Sequence, residues 1–332
     1  MSTALVTGAT GLVGSHIVER LLADGWSVRA LVRSPSNELS TLGVETMLGD
    51  VLDRDAFVAA AARCDAIFHT AAAITTPGGW EVFRRLNVDG TNNAIAAAES
   101  SGARLLQLSS VAVYGPTGRY SGPGMKTSED TVLGPLPERA FYARSKRESE
   151  QLVLEAHAAG RIWATAVRPN VIYGRRDRQF VPRMAKLLRR GVAPIIGGGR
   201  STLSVIHAAN VADGAVRAVA SNAAGGRAYN LANDYDVSVR RFFELAGEGM
   251  GRPMRFVSIP LPAARVAFKL VKSAARTLSG GRFNVISNAS LGLLTEDNPF
   301  TSERARRELG WSPVVRPEQG VPEAFRWWMT HR

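Results

Sequence analysis

The chemistry-bearing residues that stand out first are Tyr142 and Lys146, four positions apart in the run Tyr142-Ala143-Arg144-Ser145-Lys146. Four residues make about one turn of helix, so both side chains fall on one face. A lysine beside a phenol favours the phenolate, and a phenol tuned in this way can act as general acid or base near neutral pH. Earlier in the chain, Ser109 and Ser110 close a predicted strand, Arg104–Leu108. The carboxyl ends of strands in parallel sheets are where ligands bind. A hydroxyl there can hydrogen-bond the same substrate oxygen that Tyr142 protonates.

A second constellation opens the chain. Thr7-Gly8-Ala9-Thr10-Gly11-Leu12-Val13-Gly14 follows one predicted strand and begins the first predicted helix. Gly8 suits a tight turn, Gly11 lets the backbone approach a pyrophosphate, and Gly14 lets helix and strand pack closely. The helix N-terminus then offers free N–H groups and a positive dipole end to the phosphates. After the second strand, where an NAD site usually carries an acid for the ribose 2′-hydroxyl, this chain has Arg33 and Ser34. Those groups suit a 2′-phosphate through charge-assisted hydrogen bonds, which favours NADP(H) over NAD(H).

The elements that must hold these residues follow one alternating pattern. Strands are predicted at Ala4–Thr7, Ser27–Val32, Val44–Leu48, Ala66–His69 and Arg104–Leu108, with helices at Leu12–Ala23, Asp53–Ala62 and Trp80–Glu99. Strands alternating with helices at this spacing indicate an α/β fold: a doubly wound parallel sheet, buried on both faces. Residues 115–140 contain five Gly and four Pro and read as a long loop of the kind that usually carries function. A helix, Phe141–Ala158, and a strand, Trp163–Arg168, follow. Beyond them come an Arg-rich helix near 181–190, a turn at Gly197–Gly199, a strand Leu203–His207, a helix from about 210 and a last strand in 227–232. The expected division is a dinucleotide-binding domain over 1–168, with later contributions from about 203–232, and a smaller substrate-binding domain from 169–202 and 233–332. The tail is expected to cap the carboxyl edge of the sheet.

Composition narrows the class. The chain has 332 residues, 45% hydrophobic and 21% charged, which excludes collagen-like, coiled-coil and wholly disordered chains. The longest apolar runs are too short to span a bilayer, and the start, MSTALVTGAT, does not read as a leader peptide. A single cysteine, Cys64, excludes an internal disulfide and a cysteine-based metal site, and fits a reducing cytoplasm. The net charge of +12 is concentrated late. Residues 161–332 carry 27 Lys and Arg against 12 Asp and Glu, whereas residues 1–160 carry 14 against 17. Either composition drifts toward arginine here, or the second half meets an anion. The sequence shows no aromatic-interleaved basic motif for nucleic acid.

Taken together, these motifs resemble an extended short-chain dehydrogenase/reductase. The matching pieces are TGATGLVG at 7–14, GDVLD at 49–53, HTAAA at 69–73, NVDGT at 87–91, LSSVAVYG at 108–115, YARSK at 142–146, RPNVIYG at 168–174 and LGWSP at 309–313. The resemblance implies a Rossmann domain with a smaller, mostly C-terminal substrate domain. It implies that Ser110 orients the substrate oxygen, Tyr142 exchanges the proton, and Lys146 also holds the nicotinamide ribose. Asp50 and Val51 would flank the adenine. Thr70, Ala71 and Ala72 would line the cofactor, and Pro169 and Val171 would lie by the nicotinamide. Asn87 is either structural or a supporting residue beside the site. A homodimer through the helices around 80–100 and 141–158 is also implied.

Within that family, Ser110-Val111-Ala112-Val113-Tyr114 lacks the Asp-Glu pair that dehydratases carry, and Arg33 speaks against the epimerases. The run at 28–35 is similar to NADPH-using reductases of the dihydroflavonol reductase type. The stretch 178–212 resembles the 3β-hydroxysteroid dehydrogenase-like branch, which includes reductases of 2-alkyl-3-oxoalkanoic acids. A hydrophobic alcohol or ketone is therefore the expected substrate, with a sugar-nucleotide epimerase as the alternative and a non-catalytic cofactor-binding protein as the remote one. Arg175, Arg176, Arg178, Arg183, Arg189 and Arg190 border the expected site and could bind a substrate carboxylate or carrier phosphate. In 261–278, Arg265, Lys269, Lys272 and Arg276 make one stripe of an amphipathic helix. That helix could be a lid, a docking surface for a protein partner, a membrane-surface contact, or simply a solvated face.

Overall fold

The computed structural model describes residues 2–115, 125–232, 234–268 and 288–331, with side chains resuming at 292. Its centre is a seven-stranded sheet in the order β3-β2-β1-β4-β5-β6-β10, every neighbouring pair parallel. The strands are β1 (Thr3–Thr7), β2 (Ser27–Val32), β3 (Glu45–Leu48), β4 (Ala66–His69), β5 (Arg104–Leu108), β6 (Ala164–Pro169) and β10 (Ala228–Leu231). The chain leaves β1 toward β2 on one side and returns to β4 on the other. This reversal is the switch point at which open α/β sheets form a ligand crevice.

Two apolar layers sandwich the sheet, and strand periodicity assigns each side chain to one of them. Ala4 and Val6 of β1 join Val28 and Ala30 of β2 and Phe68 of β4 in one layer, beneath helices α1 (Leu12–Ala23) and α8 (Ala208–Ala220). Leu5, Leu31 and Ile67, the alternate residues, face α3 (Arg54–Ala61), α5 (Gly90–Ser101) and α6 (Phe141–Ala158). Strands apolar on both faces are what a sheet covered by helices on both sides requires. Asp53 caps α3 by accepting the amide of Ala56 at 3.0 Å, which explains why the predicted helix begins one residue later.

The expected single helix Trp80–Glu99 is interrupted. A short helix α4 (Gly79–Phe83) runs into a π-helical turn, Arg84–Asp89, and then into α5. The carbonyl of Asn87 there accepts from Thr91 Oγ1 at 2.6 Å and from Ser149 Oγ at 2.8 Å. Wide turns of this kind concentrate at functional sites. Of the expected loop 115–140, residues 116–124 lie outside the described residues. The rest has no helix, and one isolated bridge joins Thr127 to Phe300.

The chain divides into two compact units: residues 1–172, 206–234 and 300–315 form the first, and 173–205, 235–299 and 316–332 the second. Residues 300–315, expected with the tail, instead cluster with the first unit. The buried Trp311 donates Nε1 to the Asn210 carbonyl at 3.1 Å, and Asn210 Oδ1 accepts the amides of Val314 and Val315, both at 2.8 Å. The second unit pairs β8 (Val192–Ile196) in parallel with β11 (Arg255–Ile259). Its aromatic core joins Tyr173, Phe180 and Phe325 around Phe242, which sits on α9 (Val239–Gly249). Of the expected helix 261–278, residues 261–268 are helical, with Ala264 buried and Val266 58% exposed, while 269–278 lie outside the described residues. Among the described residues no helix is long and apolar enough to cross a membrane.

Trp311 tests whether 300–315 belongs to the first unit. Truncating a buried tryptophan to alanine costs about 3–5 kcal/mol. Trp311→Ala is expected to lower the guanidinium midpoint of unfolding by that equivalent with an unchanged m-value, and a loss below about 1 kcal/mol would detach the segment from that core.

Candidate active site

All of the predicted catalytic and cofactor-binding residues lie in the first unit, whereas Arg175, Arg176, Arg178, Arg183, Arg189 and Arg190 lie in the second. At the end of β1, Gly8 takes φ +68°, a left-handed conformation that favours glycine. A Cβ there would stand 2.8 Å from Thr70 Oγ1 and 2.9 Å from the Ala71 amide. A Cβ on Gly14 would lie 2.2 Å from the Gly8 carbonyl, so this helical position is closed to any side chain. Gly11 donates its amide to that carbonyl at 2.8 Å and starts α1 with no side-chain cap. The first turn of α1, Leu12, Val13 and Gly14, therefore offers amide donors and a positive dipole end, with Thr10 exposed beside it. Such a turn fits the phosphates of a dinucleotide.

The end of β4 is fastened to this turn. Thr70 Oγ1 donates to the Thr7 carbonyl at 2.6 Å, and the Ala71 amide donates to Thr7 Oγ1 at 3.3 Å. Thr7 Oγ1 also lies 2.9 Å from His69 Nδ1. Burial, with Lys146 adding to it, pushes the His69 imidazole down to about 3, so this ring is neutral at physiological pH. Half-buried Ala72 continues the strip to Ala73. At the outer strands, Arg33 and Ser34 stand exposed just beyond β2. Asp50 Oδ1 closes a local turn on the Leu52 amide at 2.9 Å, and the Val51 carbonyl accepts from Asn93 at 2.9 Å. Pro169 ends β6 opposite Leu231, and half-buried Val171 follows it.

At the end of β5, buried Ser110 starts a 3-10 turn, Val111–Tyr114, its Oγ accepting the Ala112 amide at 3.1 Å. The Tyr142 side chain comes beside Ser110: burial pushes its phenol up from the ordinary value, and the Ser110 side chain pulls it back. Spacing alone suggests that Lys146 lowers the phenol. In the folded chain burial dominates, and the partner that offsets it is the serine. Lys146 is 3% exposed and donates Nζ to the Leu108 carbonyl at 2.6 Å. Burial pushes its ammonium down to about 8, against the pull of Glu150 one turn along α6.

The supporting residues were less visible in the sequence. Asn87 receives the Ala73 amide on Oδ1 at 2.7 Å and donates Nδ2 to the Ala73 carbonyl at 3.0 Å and to Ser145 Oγ at 2.9 Å. Ser145 Oγ in turn donates to the Tyr142 carbonyl at 2.9 Å. Asn87 thus ties the β4 strip to the helix that bears the phenol. Spacing also missed a buried pair, Arg168 and Glu150, with Tyr114 against it. The signal available was a carboxylate four residues after Lys146. Among the described residues no cluster of His, Cys, Asp and Glu could hold a metal ion.

This geometry agrees with what the chain resembles. The model of the NAD dependent epimerase/dehydratase family matches residues 4–232. A 4-hydroxy-2-methyl-3-oxo-4-farnesyl-3,4-dihydroquinoline-1-oxide ketoreductase of Stigmatella aurantiaca is 34% identical, the match covering 95% of this chain and 93% of that one. A 2-alkyl-3-oxoalkanoate reductase of Stenotrophomonas maltophilia is 31% identical, with 96% of each chain covered. The crystal structure of gox2253 superposes with a TM-score of 0.76 at 26% identity, covering 100% of this chain and 99% of that one. The chain belongs to the NAD dependent epimerase/dehydratase family, among its extended short-chain dehydrogenase/reductases.

Proposed function

We propose that the chain is an NADP(H)-dependent ketoreductase or alcohol dehydrogenase for a large apolar substrate, of the 2-alkyl-3-oxo acid or 3β-hydroxysteroid type. The observation that carries this is the Tyr142 phenol beside Ser110, with Lys146 buried one helical turn away on the carbonyl of Leu108, two residues before that serine. Reductases and dehydrogenases among the relatives support the oxidoreductase class, and by their names the two relatives described above act on oxo compounds that carry a farnesyl or an alkyl group.

The bound dinucleotide would supply the hydride. The glycine turn and the first turn of α1 would hold its pyrophosphate, with Thr70, Ala71 and Ala72 along its course and Arg33 and Ser34 on the 2′-phosphate. Ser110 holds the substrate oxygen by hydrogen bond. Tyr142 gives its phenolic proton to that oxygen during reduction and takes it back in the reverse direction. The charged Lys146 stabilises the phenolate that results.

Two substitutions test this. Tyr142→Phe is expected to lower kcat by at least about a hundredfold, the scale of a lost general acid, while cofactor affinity measured by fluorescence titration holds. Turnover retained in that variant would remove the phenol from the chemistry. Arg33→Ala is expected to weaken NADPH by about tenfold or more, the scale of one charge-assisted hydrogen bond, while NADH affinity is little changed. Equal losses for both cofactors would show that Arg33 does not read the 2′-phosphate.

A further inference from the structure

Behind Lys146 lies a buried charge array that the proton transfer itself does not use. Arg168, on β6, is buried and grips Glu150 of α6 with Nε at 2.9 Å from Oε2 and 3.1 Å from Oε1, and with Nη2 on Oε1. Its Nη1 donates to the Tyr114 hydroxyl at 2.7 Å, and that hydroxyl donates to Asn230 Oδ1 at 2.9 Å. The Asn230 amide donates to Glu129 Oε1 at 2.6 Å. Burial works against the Arg168 charge, and Glu150 outweighs it. Glu150, 4% exposed, sits one turn after Lys146 on the same helix.

A buried ion pair is a poor device for stability alone, because apolar residues of similar volume often do as well or better. Its position here suggests another use. The groups that act on Lys146 are Glu150 from α6, the Leu108 carbonyl from β5 and His69 from β4, with Arg168 of β6 on Glu150 and Tyr142 one turn earlier on α6. His69 is neutral and Tyr142 is a phenol, so Glu150 is the one anion in this set.

We infer that Glu150 is a positioning residue for Lys146: its carboxylate, locked in place by Arg168 and Tyr114, keeps the neighbouring ammonium charged and seated on the Leu108 carbonyl. This rests on the proposed role of Lys146 in turnover. Glu150 then sets the alkaline edge of activity, since a lysine that loses its proton no longer stabilises the phenolate. The direction follows from charge: without the anion, burial alone acts on Lys146, and its proton is lost at lower pH.

The test reads Lys146 directly. The chain has five lysines, so ¹⁵N-lysine labelling gives few Nζ signals, and Lys146→Arg assigns the relevant one. In Glu150→Gln, the Lys146 Nζ is expected to titrate about one pH unit or more below wild type, the scale of a nearby opposite charge, with the alkaline fall of kcat moving down alongside. Glu150→Asp keeps the charge and is expected to lie closer to wild type. If the stranded Arg168 unfolds Glu150→Gln, the double variant Glu150→Gln/Arg168→Met removes both charges and is expected to show a smaller downward shift. A folded variant lacking the carboxylate whose Lys146 titrates as in wild type overturns the inference. The NMR titration needs no substrate, so absence of turnover in the wild type would bear on the proposed function alone.

Discussion

An ammonium group out of water demands partners, and the arrangement of the first unit turns on meeting that demand at Lys146. Its side chain is 3% exposed and finds the Leu108 carbonyl at the last residue of β5. That hydrogen bond joins the ties of Ser149 to the Asn87 carbonyl and of Glu150 to Arg168 in holding the helix α6 against the central sheet. The phenol one turn earlier on α6 comes beside Ser110, which lies just past the same strand end. An isolated cation in so dry a setting would lose its proton, and Glu150, four residues along α6, pulls against that loss.

The surrounding polar groups form a scaffold rather than a collection of contacts. Thr7 joins β1 to β4 through His69 and Ala71, and Asn87 joins the β4 strip to Ser145 on α6. Each link is a buried or part-buried hydrogen bond between neighbouring elements, so turn, strip and helix are tied to one another. Pre-set donors and acceptors of this kind avoid reorganisation at the moment of reaction. Rigid positioning of a phenol, a serine and a lysine is what a proton transfer to a ketone oxygen requires.

Much of this was legible in the residues, for identifiable reasons. Gly8 and Gly14 stand where a side chain would collide with backbone, so residue type reports geometry directly. The strands carry apolar residues on both faces because helices cover both sides, and the helices Leu12–Ala23 and Phe141–Ala158 were predicted with the bounds found. What spacing could not convey was burial. It suggested a phenol eased by its lysine neighbour, whereas desolvation governs both groups in the fold. Pairings between distant residues were equally hidden: Glu150 reads as an ordinary helix carboxylate until Arg168 meets it, and residues 300–315 read as tail until Trp311 reaches Asn210. The π-helical turn at Arg84–Asp89 left no mark in apolar periodicity, because it depends on hydroxyl donors from Thr91 and Ser149 to one carbonyl.

In the proposed reaction the bound dinucleotide would supply hydride to a ketone carbon while the Tyr142 phenol protonates its oxygen. Isotope transfer measures that most directly. Incubated with NADPH deuterated at the transferable position and a long-chain 2-alkyl-3-oxo acid or a 3-oxosteroid, the protein should yield the hydroxy product with one deuterium on the carbinol carbon and one equivalent of NADP⁺. Cofactor left reduced across a range of such ketones, or product carrying no deuterium at that carbon, would contradict the account.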